Sequence, residues 1–204
     1  DLSGDWTMEM WFKPLSTGNN WNEKFTLLNK PGSEDNYRSN YLIYLLPSSA
    51  FEADALLCSY SSTENVDKTP DLVTDRFFPG LDSWYHLTYI RDTSDKTVKL
   101  LVHNSDRNLV HYEWASYYEE VHSQPLLNSN PLYIGTSLYS NTCFNGYLDE
   151  LRISNVVRSF YDDLYAEFAI DINAGEAPLT VNFTDHSLGS PTSWQWDFQN
   201  DGII

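Results

Sequence analysis

Short apolar runs recur along this chain at close intervals, separated by turn residues, and this spacing constrains the fold more than any other feature. Nine such runs are predicted to be strands: 6–13, 24–30, 41–46, 55–60, 84–91, 98–103, 109–114, 132–136 and 146–153. Aromatic residues, which favour strands, are abundant, with 7 Trp, 14 Tyr and 10 Phe. Many short strands at regular spacing predict an all-β sandwich or jelly roll. One short helix is predicted after the last run, with Ser154 or Asn155 as its cap.

The pattern of apolar residues changes after residue 165. Apolar and polar residues alternate in three further runs, 168–172, 179–183 and 194–198, with turn residues between the runs. Alternation of this kind predicts half-buried strands. We therefore expect a first domain at 1–165 and a second β domain at 166–204.

The charge balance excludes one class of partner. The chain has 12 Lys and Arg against 29 Asp and Glu, a formal net charge of -17. Nucleic acid is not expected to bind, because phosphate recognition needs basic patches. No apolar run has the length of a membrane span. The two cysteines, Cys58 and Cys143, allow either a disulfide or two free thiols.

Three motifs in the first domain resemble one known family. They are WTMEMWFKP (6–14), SWYHLTYIRD (83–92) with KLLVHN (99–104), and FNGYLDELRISNVVRS (144–159). In this order and spacing they resemble the laminin-G-like, concanavalin A-like domain of large secreted bacterial proteins. The resemblance implies an antiparallel jelly-roll β-sandwich, whose usual first strand is missing from this segment, and an extracellular location. It also implies that Trp6, Trp11 and Trp84 belong to the core and that His86 is a packed structural residue.

A further motif, APLTVNFTDHSLGSPTSWQWDFQNDG (177–202), resembles a PKD (polycystic kidney disease) domain. The resemblance implies that 166–204 is the N-terminal half of an immunoglobulin-like β-sandwich, a type of module that acts as a spacer or a protein contact. Half a sandwich has unpaired strand edges and an open apolar face. One hypothesis is that another chain, or another segment of the same protein, supplies the missing strands. The alternative is a segment cut from a longer protein.

An aspartate in the last strand of the first domain is the candidate metal ligand. Side chains alternate faces along a strand, so Asp149 is predicted to share a core-facing side with Leu151 and Ile153. An unpaired charge in the core is costly, so Asp149 needs partners. It either accepts backbone N–H bonds or pairs with Arg152 or Arg158. The resemblance implies a third reading, in which Asp149 and backbone carbonyls of an early loop hold a structural calcium ion.

Aromatic residues outside the family motifs are the candidate ligand-binding residues. Sugar rings stack on exposed aromatic planes, and Trp21, Trp114, Tyr118 and Tyr139 are predicted to lie in or near loops where such stacking is possible. The alternative is that Trp21 and Trp114 cover the rim of the core.

No set of catalytic carboxylates is complete in the sequence. Glycoside hydrolysis needs an acid and a base or nucleophile on either side of the scissile bond. Glu52 and Asp54 share a strand face, but the third position of the pattern is Leu56; Glu119 and Glu120 are adjacent and point to opposite faces. A glycoside hydrolase is therefore the least favoured reading, and we expect a chain that is not an enzyme.

The sequence thus predicts a non-catalytic binding or adhesion module of a larger secreted or cell-surface protein. Its expected partner is a glycan or a surface protein, with calcium as a structural cofactor. The competing hypothesis is a structural subunit of an extracellular assembly, in which chains associate through donated strands.

Overall fold

The computed structural model describes most of the strand-forming segments. The described residues are 2, 4–16, 25–31, 39–46, 55–60, 72–73, 79–116, 128–136, 143–158, 166, 168–172, 174–176, 178–187 and 192–196, with backbone alone at 39, 46, 55–60, 72–73 and 116. The chain divides into two compact units, the first unit at Asp1–Arg158 and the second unit at Ser159–Ile204. The domain boundary near residue 166 stays a prediction, because 159–165 lie outside the described residues.

In the described part of the first unit, ten strands form two five-stranded sheets. The strands are β1 (Trp6–Pro14), β2 (Phe25–Pro31), β3 (Ser39–Leu46), β4 (Ala55–Tyr60), β5 (Leu72–Val73), β6 (Tyr85–Asp92), β7 (Thr97–Asn104), β8 (Leu109–Ser116), β9 (Tyr133–Ile134) and β10 (Gly146–Ser154). The first sheet has the order β10-β1-β6-β7-β8, and the second sheet has the order β5-β4-β3-β2-β9. Neighbouring strands in both sheets are antiparallel. The predicted all-β jelly-roll sandwich is confirmed.

The core of the first unit is built by side-chain alternation. Every second residue of β1 from Trp6 to Phe12 is at most 1% exposed, and β7 buries Val98, Leu100 and Val102 in the same way. The second sheet contributes the apolar side chains Leu27, Leu28, Ile43 and Leu45 to the same cluster. Full burial of one such side chain contributes about 1.5–3 kcal/mol, so this cluster is the main source of stability.

The opposite face of the first sheet, which we call the outer face, carries polar residues. Thr7, Glu9 and Trp11 alternate with the core residues of β1 and therefore point away from the core. His86 in β6 is paired with Trp11 on one side and with His103 in β7 on the other. The side chains at Thr7, Glu9, His86 and His103 are each at most 1% exposed, so this face has buried polar groups of its own.

A β-bulge in β10 corrects the prediction for Asp149. Arg152 is paired with Glu9 and Asp149 with Trp11, so two residues of β10 lie opposite one residue of β1. Glu150, at the bulge, has a left-handed φ of 49°. Leu151 packs against the core as expected. The extra residue turns Asp149 to the outer face, where it is exposed, so its predicted place on the core face is wrong.

The strand predictions agree with the structure more closely than the helix prediction. All nine predicted strands of the first unit occur, although the one at 132–136 is reduced to the two residues of β9; the two-residue strand β5 was not predicted. Ser154 is the last residue of β10 and 156–158 are not helical, so no helix begins at the predicted cap. Within the described residues, no helix has the length and apolarity needed to cross a membrane.

The second unit contains a two-stranded antiparallel sheet formed by β11 (Phe168–Ile170) and β12 (Phe183–Asp185). The ring of Trp196 packs against Phe168 and Phe183 at centroid distances of 5.2 and 5.3 Å. Asp171 accepts hydrogen bonds from the backbone N–H and the side-chain amide of Asn182, at 2.8 and 2.6 Å. The described part of the predicted third run, 194–196, is not a strand.

Candidate functional site

A shallow pocket of about 300 Å³ opens on the outer face of the first sheet and is the candidate ligand site. Its lining residues are Trp11, Trp84, Ser105, Asp149 and Glu150, and we call it the outer-face pocket. Trp11 comes from β1 and Asp149 from the paired position of β10, while Trp84 immediately precedes β6 and Ser105 immediately follows β7. The β-bulge is what brings Asp149 into this pocket, because an unbroken alternation would turn its side chain to the core.

Two indole rings form the apolar part of the outer-face pocket. Trp11 and Trp84 are both half-buried, so each ring is held by the protein and still offers surface to a ligand. The Trp11 ring meets His86 edge-on at 5.1 Å, and Trp84 lies 6.3 Å from the ring of Tyr147. Tyr147 is 54% exposed and has the ammonium of Lys13 over its ring at 5.7 Å, which extends the aromatic surface beyond the pocket.

Two carboxylates form the polar part of the outer-face pocket. Asp149 Oδ1 accepts a hydrogen bond of 2.8 Å from the backbone N–H of Glu150. This bond holds the Asp149 carboxylate at the bulge, where the left-handed backbone of Glu150 turns the strand. Carboxylate oxygens are acceptors only, so they pair with hydroxyl or amine donors on a ligand. The hydroxyl of Ser105, which can donate or accept, adds a third polar group.

A pair of buried histidines lies beside Trp11 in the sheet. His86 and His103 occupy directly paired positions, and each is 1% exposed. Burial lowers the pKa of His86 to about 3, with further lowering from His103 and from the charge of Arg152. Thr88 Oγ1 lies 3.4 Å from His86 Nδ1. Since the imidazole of His86 is neutral at physiological pH, it adds no positive charge next to the pocket.

A buried glutamate next to the pocket gathers two arginines. Glu9 is 1% exposed, and its Oε2 lies 3.3 Å from Arg152 Nε and 3.5 Å from Arg158 Nε. The backbone N–H of Arg158 donates to Thr7 Oγ1 at 3.0 Å, and Thr7 Oγ1 donates to the carbonyl of Val156 at 2.8 Å. These bonds attach the segment after β10 to β1 and hold the backbone of Arg158 next to Thr7.

The family comparison decides the identity of the first unit. A family model described as laminin G, of the concanavalin A-like lectin/glucanases superfamily, matches residues 1–160. The chain belongs to this family. No curated protein matched the sequence. The laminin-G-like domain of this chain therefore carries the outer-face pocket, since all five lining residues lie within the matched range.

Solved structures share the fold of the laminin-G-like domain at low sequence identity. IT-sialidase CBM40 from Ruminococcus gnavus has 13% identity and a TM-score of 0.51, covering 77% of this chain and 79% of that one. A candidate carbohydrate binding protein from Bacteroides ovatus has 13% identity and a TM-score of 0.50, with 78% and 39% covered. The enzymatically active domain of bacteriophage CBA120 tailspike protein 2 has 15% identity and a TM-score of 0.53, with 77% and 23% covered.

These solved structures establish the fold and nothing finer. At 13–15% identity they show a shared sandwich, and folds of this kind carry many functions. The chain spans less than two thirds of the Bacteroides protein and of the tailspike domain. Their binding partners and reactions therefore do not pass to the laminin-G-like domain by similarity alone.

Of the four predicted ligand-binding residues, Trp114 is the one that the structure describes. Trp21, Tyr118 and Tyr139 lie outside the described residues, so their role stays a prediction. Trp114 is half-buried in β8 opposite Lys99, in a strand rather than a loop, and is not among the pocket residues.

The two indoles that do line the pocket were assigned to the core from the sequence. The expectation is confirmed for Trp6, which is 0% exposed, and is wrong for Trp11 and Trp84. Strand alternation does predict the orientation of Trp11. Trp6 and Trp11 are an odd number of residues apart in one strand, so their side chains point to opposite faces of the sheet.

The predicted partners of Asp149 are partly corrected. Asp149 does accept a backbone N–H, from Glu150, but Arg152 and Arg158 both pair with Glu9 instead. Sequence reasoning missed Glu9, although an acidic residue between Met8 and Met10 is placed by alternation on the face opposite the core.

The calcium expectation stays a prediction. Calcium takes six to eight oxygen ligands, and no group of three or more acidic, histidine or cysteine side chains converges among the described residues. Asp149 and Glu150 alone would fill only part of such a shell.

The remaining sequence candidates are also located. Glu52, Asp54, Glu119 and Glu120 lie outside the described residues. Cys143 is a free, exposed thiol.

Proposed function

We propose that the laminin-G-like domain is a non-catalytic glycan-binding module and that the outer-face pocket is its binding site. The observation that carries this proposal is the pairing of two half-buried indoles, Trp11 and Trp84, with the carboxylates of Asp149 and Glu150 in one pocket. The proposal includes an extracellular setting, as part of a larger secreted or cell-surface protein.

The chemistry of the pocket fits a sugar ring. A pyranose has C–H groups that stack on an aromatic face and hydroxyls that donate to carboxylates at its edge. Ligand pockets are mostly apolar, have a few placed polar groups and enclose about 300–1,000 Å³. The outer-face pocket combines two indoles with three polar residues, and its volume lies at the small end of that range, which suits one or two sugar units at the end of a longer glycan.

Comparison supports the proposal at the level of the fold. The Ruminococcus gnavus IT-sialidase CBM40 has also been solved bound to α2,3 sialyllactose, and this complex matches the chain with a TM-score of 0.50 and 12% identity. A sandwich of this shape can therefore hold a saccharide.

The arrangement of acids supports a binding role over hydrolysis. Hydrolysis needs two carboxyl groups on either side of the glycosidic bond. Asp149 and Glu150 are consecutive residues at one bulge. We expect no turnover when the chain is incubated with the glycans that it binds; release of reducing sugar that Glu150→Gln abolishes would contradict the non-catalytic proposal.

A glycan array with three tryptophan variants tests the site. We expect the full chain to bind a defined group of glycans, and Trp11→Ala and Trp84→Ala each to weaken that binding at least about tenfold. Trp114→Ala is the matched control, because Trp114 is also half-buried in the first sheet but lies outside the pocket. Circular dichroism spectra and thermal unfolding of each variant show whether it has folded.

Two outcomes would contradict this assignment. If folded Trp11→Ala and Trp84→Ala bind as tightly as the parent, the outer-face pocket is not the site. If Trp114→Ala alone loses binding, the site lies where the sequence first placed it, around Trp114.

The exposed apolar side chains of the second unit support a second proposal, a structural role. Seven of its described apolar side chains are 36–52% exposed: Phe168, Ile170, Ile172, Leu179, Phe183, Trp194 and Trp196. Exposed apolar surface of this kind is typical of interaction sites. We propose that this unit is a PKD-type spacer or contact module, and that its apolar surface permits self-association. Sedimentation velocity over a hundredfold concentration range tests this, since a constant monomer would contradict self-association.

A further inference from the structure

The proposed glycan site carries an inference about the charge of its ligand. Building on that proposed function, we infer that the outer-face pocket prefers saccharides with a protonated amine over neutral ones and rejects saccharides with a carboxylate or sulfate. The geometry that points to this is the joint presence of two indole faces and two carboxylates in a pocket whose described lining residues include no basic side chain.

The acidic residues of the pocket disfavour an anionic ligand. Among the described lining residues, Asp149 and Glu150 are the charged ones, and both are exposed at the bulge. The whole chain adds to this field, with a formal net charge of -17. A sugar carboxylate or sulfate entering the pocket would meet like charges without a partner, which costs binding free energy.

Three of the described cations, Lys13, Arg152 and Arg158, are paired with acids. Lys13 pairs with Asp82 at 2.7 Å. Arg152 and Arg158 share the carboxylate of Glu9, whose side chain is only 2% exposed. The charge of both guanidinium groups is largely balanced by the carboxylate of Glu9, which weakens their attraction for an anionic sugar.

The aromatic residues of the pocket favour a cationic ligand. An ammonium group over the face of a tryptophan is attracted by the ring, and this attraction is strongest for Trp among the aromatic residues. A protonated amine on a sugar that stacks on Trp11 or Trp84 would also lie close to Asp149 and Glu150. The neutral His86 beside Trp11 adds no opposing charge. A neutral sugar can still donate its hydroxyls to the two carboxylates, but it lacks the ion pair and the cation–π attraction that an ammonium group adds.

A matched glycan panel tests the inference on the full chain. The panel presents each backbone sugar in three forms: with a free amine, with the amine acetylated or replaced by hydroxyl, and with a carboxylate or sulfate. At low salt we expect the amine form to bind about fivefold or more tightly than the neutral form, and the acidic form about fivefold or more weakly. Both differences should shrink as sodium chloride is raised to about 0.5 M.

Charge-removing variants locate the preference. Asp149→Asn combined with Glu150→Gln keeps the size of both side chains and should abolish the preference, so that the amine and neutral forms bind with equal affinity. Glu176→Gln is the matched control, because it removes one charge from an exposed residue of the second unit.

The possible failures are distinguishable. If no glycan of any class binds, the proposed function fails and the inference fails with it. If glycans bind in a way that depends on Trp11 but the acidic or neutral forms bind as tightly as the amine form, the function stands and the inference is overturned. A preference that survives Asp149→Asn with Glu150→Gln would also overturn it.

Discussion

At the scale of single residues, one buried acid on the outer face is paired with two partly exposed arginines. One buried carboxylate, Glu9, holds two guanidinium groups that are themselves 47% and 41% exposed. Either arginine can be hydrated if it loses Glu9, whereas Glu9 cannot be hydrated if it loses both arginines. The stability of this cluster is therefore set by how many cations remain next to Glu9.

A double-mutant cycle at Arg152 and Arg158 tests this asymmetry. We expect each single change to Ala to lower the free energy of unfolding by about 1 kcal/mol, and the double change to lower it by about 3–5 kcal/mol, because only the double variant leaves Glu9 buried and unpaired. Urea denaturation measures the three values. Simple additivity of the two single effects would contradict a shared dependence on Glu9.

The histidine beside Trp11 predicts a dependence of stability on pH. The folded-state pKa of His86 is lowered from 6.5 to about 3, so between these values the unfolded chain binds more protons than the folded chain. The contribution of His86 is therefore fully present above pH 6.5 and is lost as the pH falls toward 3. We expect it to add a slope of at most about 1.4 kcal/mol per pH unit in this window.

Urea denaturation at several pH values between 7 and 4 measures that slope. His86→Gln, which does not titrate in this window, should show a flatter dependence than the parent. Identical slopes for the two proteins would rule out His86 as the source.

At the scale of elements, the strand β10 determines whether the pocket exists. Because of its bulge, two core-facing leucines, Leu148 and Leu151, are three positions apart along the strand instead of two. Without that extra residue, Asp149 could not lie on the same face as Trp11. The element that closes the first sheet at its edge is thus also the element that supplies the acids of the site.

A substitution at the bulge tests its backbone conformation. Glu150 has a φ of 49°, where side chains other than glycine are strained. We expect Glu150→Gly to raise the free energy of unfolding by about 0.5–1 kcal/mol and Glu150→Val to lower it by more than about 1 kcal/mol. Chemical denaturation of both variants gives the comparison, and a stabilised Val variant would contradict the left-handed conformation.

The fold could be predicted from the sequence because each strand is a local pattern. β1, β4 and β7 have apolar runs whose period and flanking turns specify them without reference to the rest of the chain. β5 has only two residues and exists through its pairing with β4, so no local pattern indicates it.

The site was less predictable, because it depends on contacts between distant segments. The pairing of Trp11 with Asp149 joins the first and last strands of the unit, and the bulge shifts it by one residue. A pattern of apolar residues reveals the bulge only if Leu148 and Leu151, three positions apart, are both recognised as core-facing. Trp11 was assigned to the core because its position in the family motif was given more weight than strand alternation.

At the scale of the whole molecule, the two units differ in how much apolar surface they bury. The first unit has a closed core between two sheets, whereas the described part of the second unit has one pair of three-residue strands and half-exposed aromatic rings. Burial of apolar side chains is the main determinant of local stability. The units are therefore expected to open with different free energies.

Hydrogen exchange of backbone amides tests this difference. We expect slow exchange in β1, β6 and β7 and fast exchange, at rates close to those of unfolded peptides, in β11 and β12 at low protein concentration. If the second unit becomes protected as concentration rises, its apolar surface is an assembly contact. Equal protection in both units at all concentrations would contradict the expectation.

The pairing of β1 with β10 has a consequence for how evolution could use this domain. Thr7 lies directly opposite Ser154, so the chain enters and leaves the first sheet at adjacent points. A domain of that kind can be spliced into a loop of a host protein, or repeated in tandem, while its own interior stays unchanged. If a short linker joins the segment before β1 to the segment after β10 and the chain is opened at a surface turn instead, the resulting circular permutant of the domain should therefore still fold.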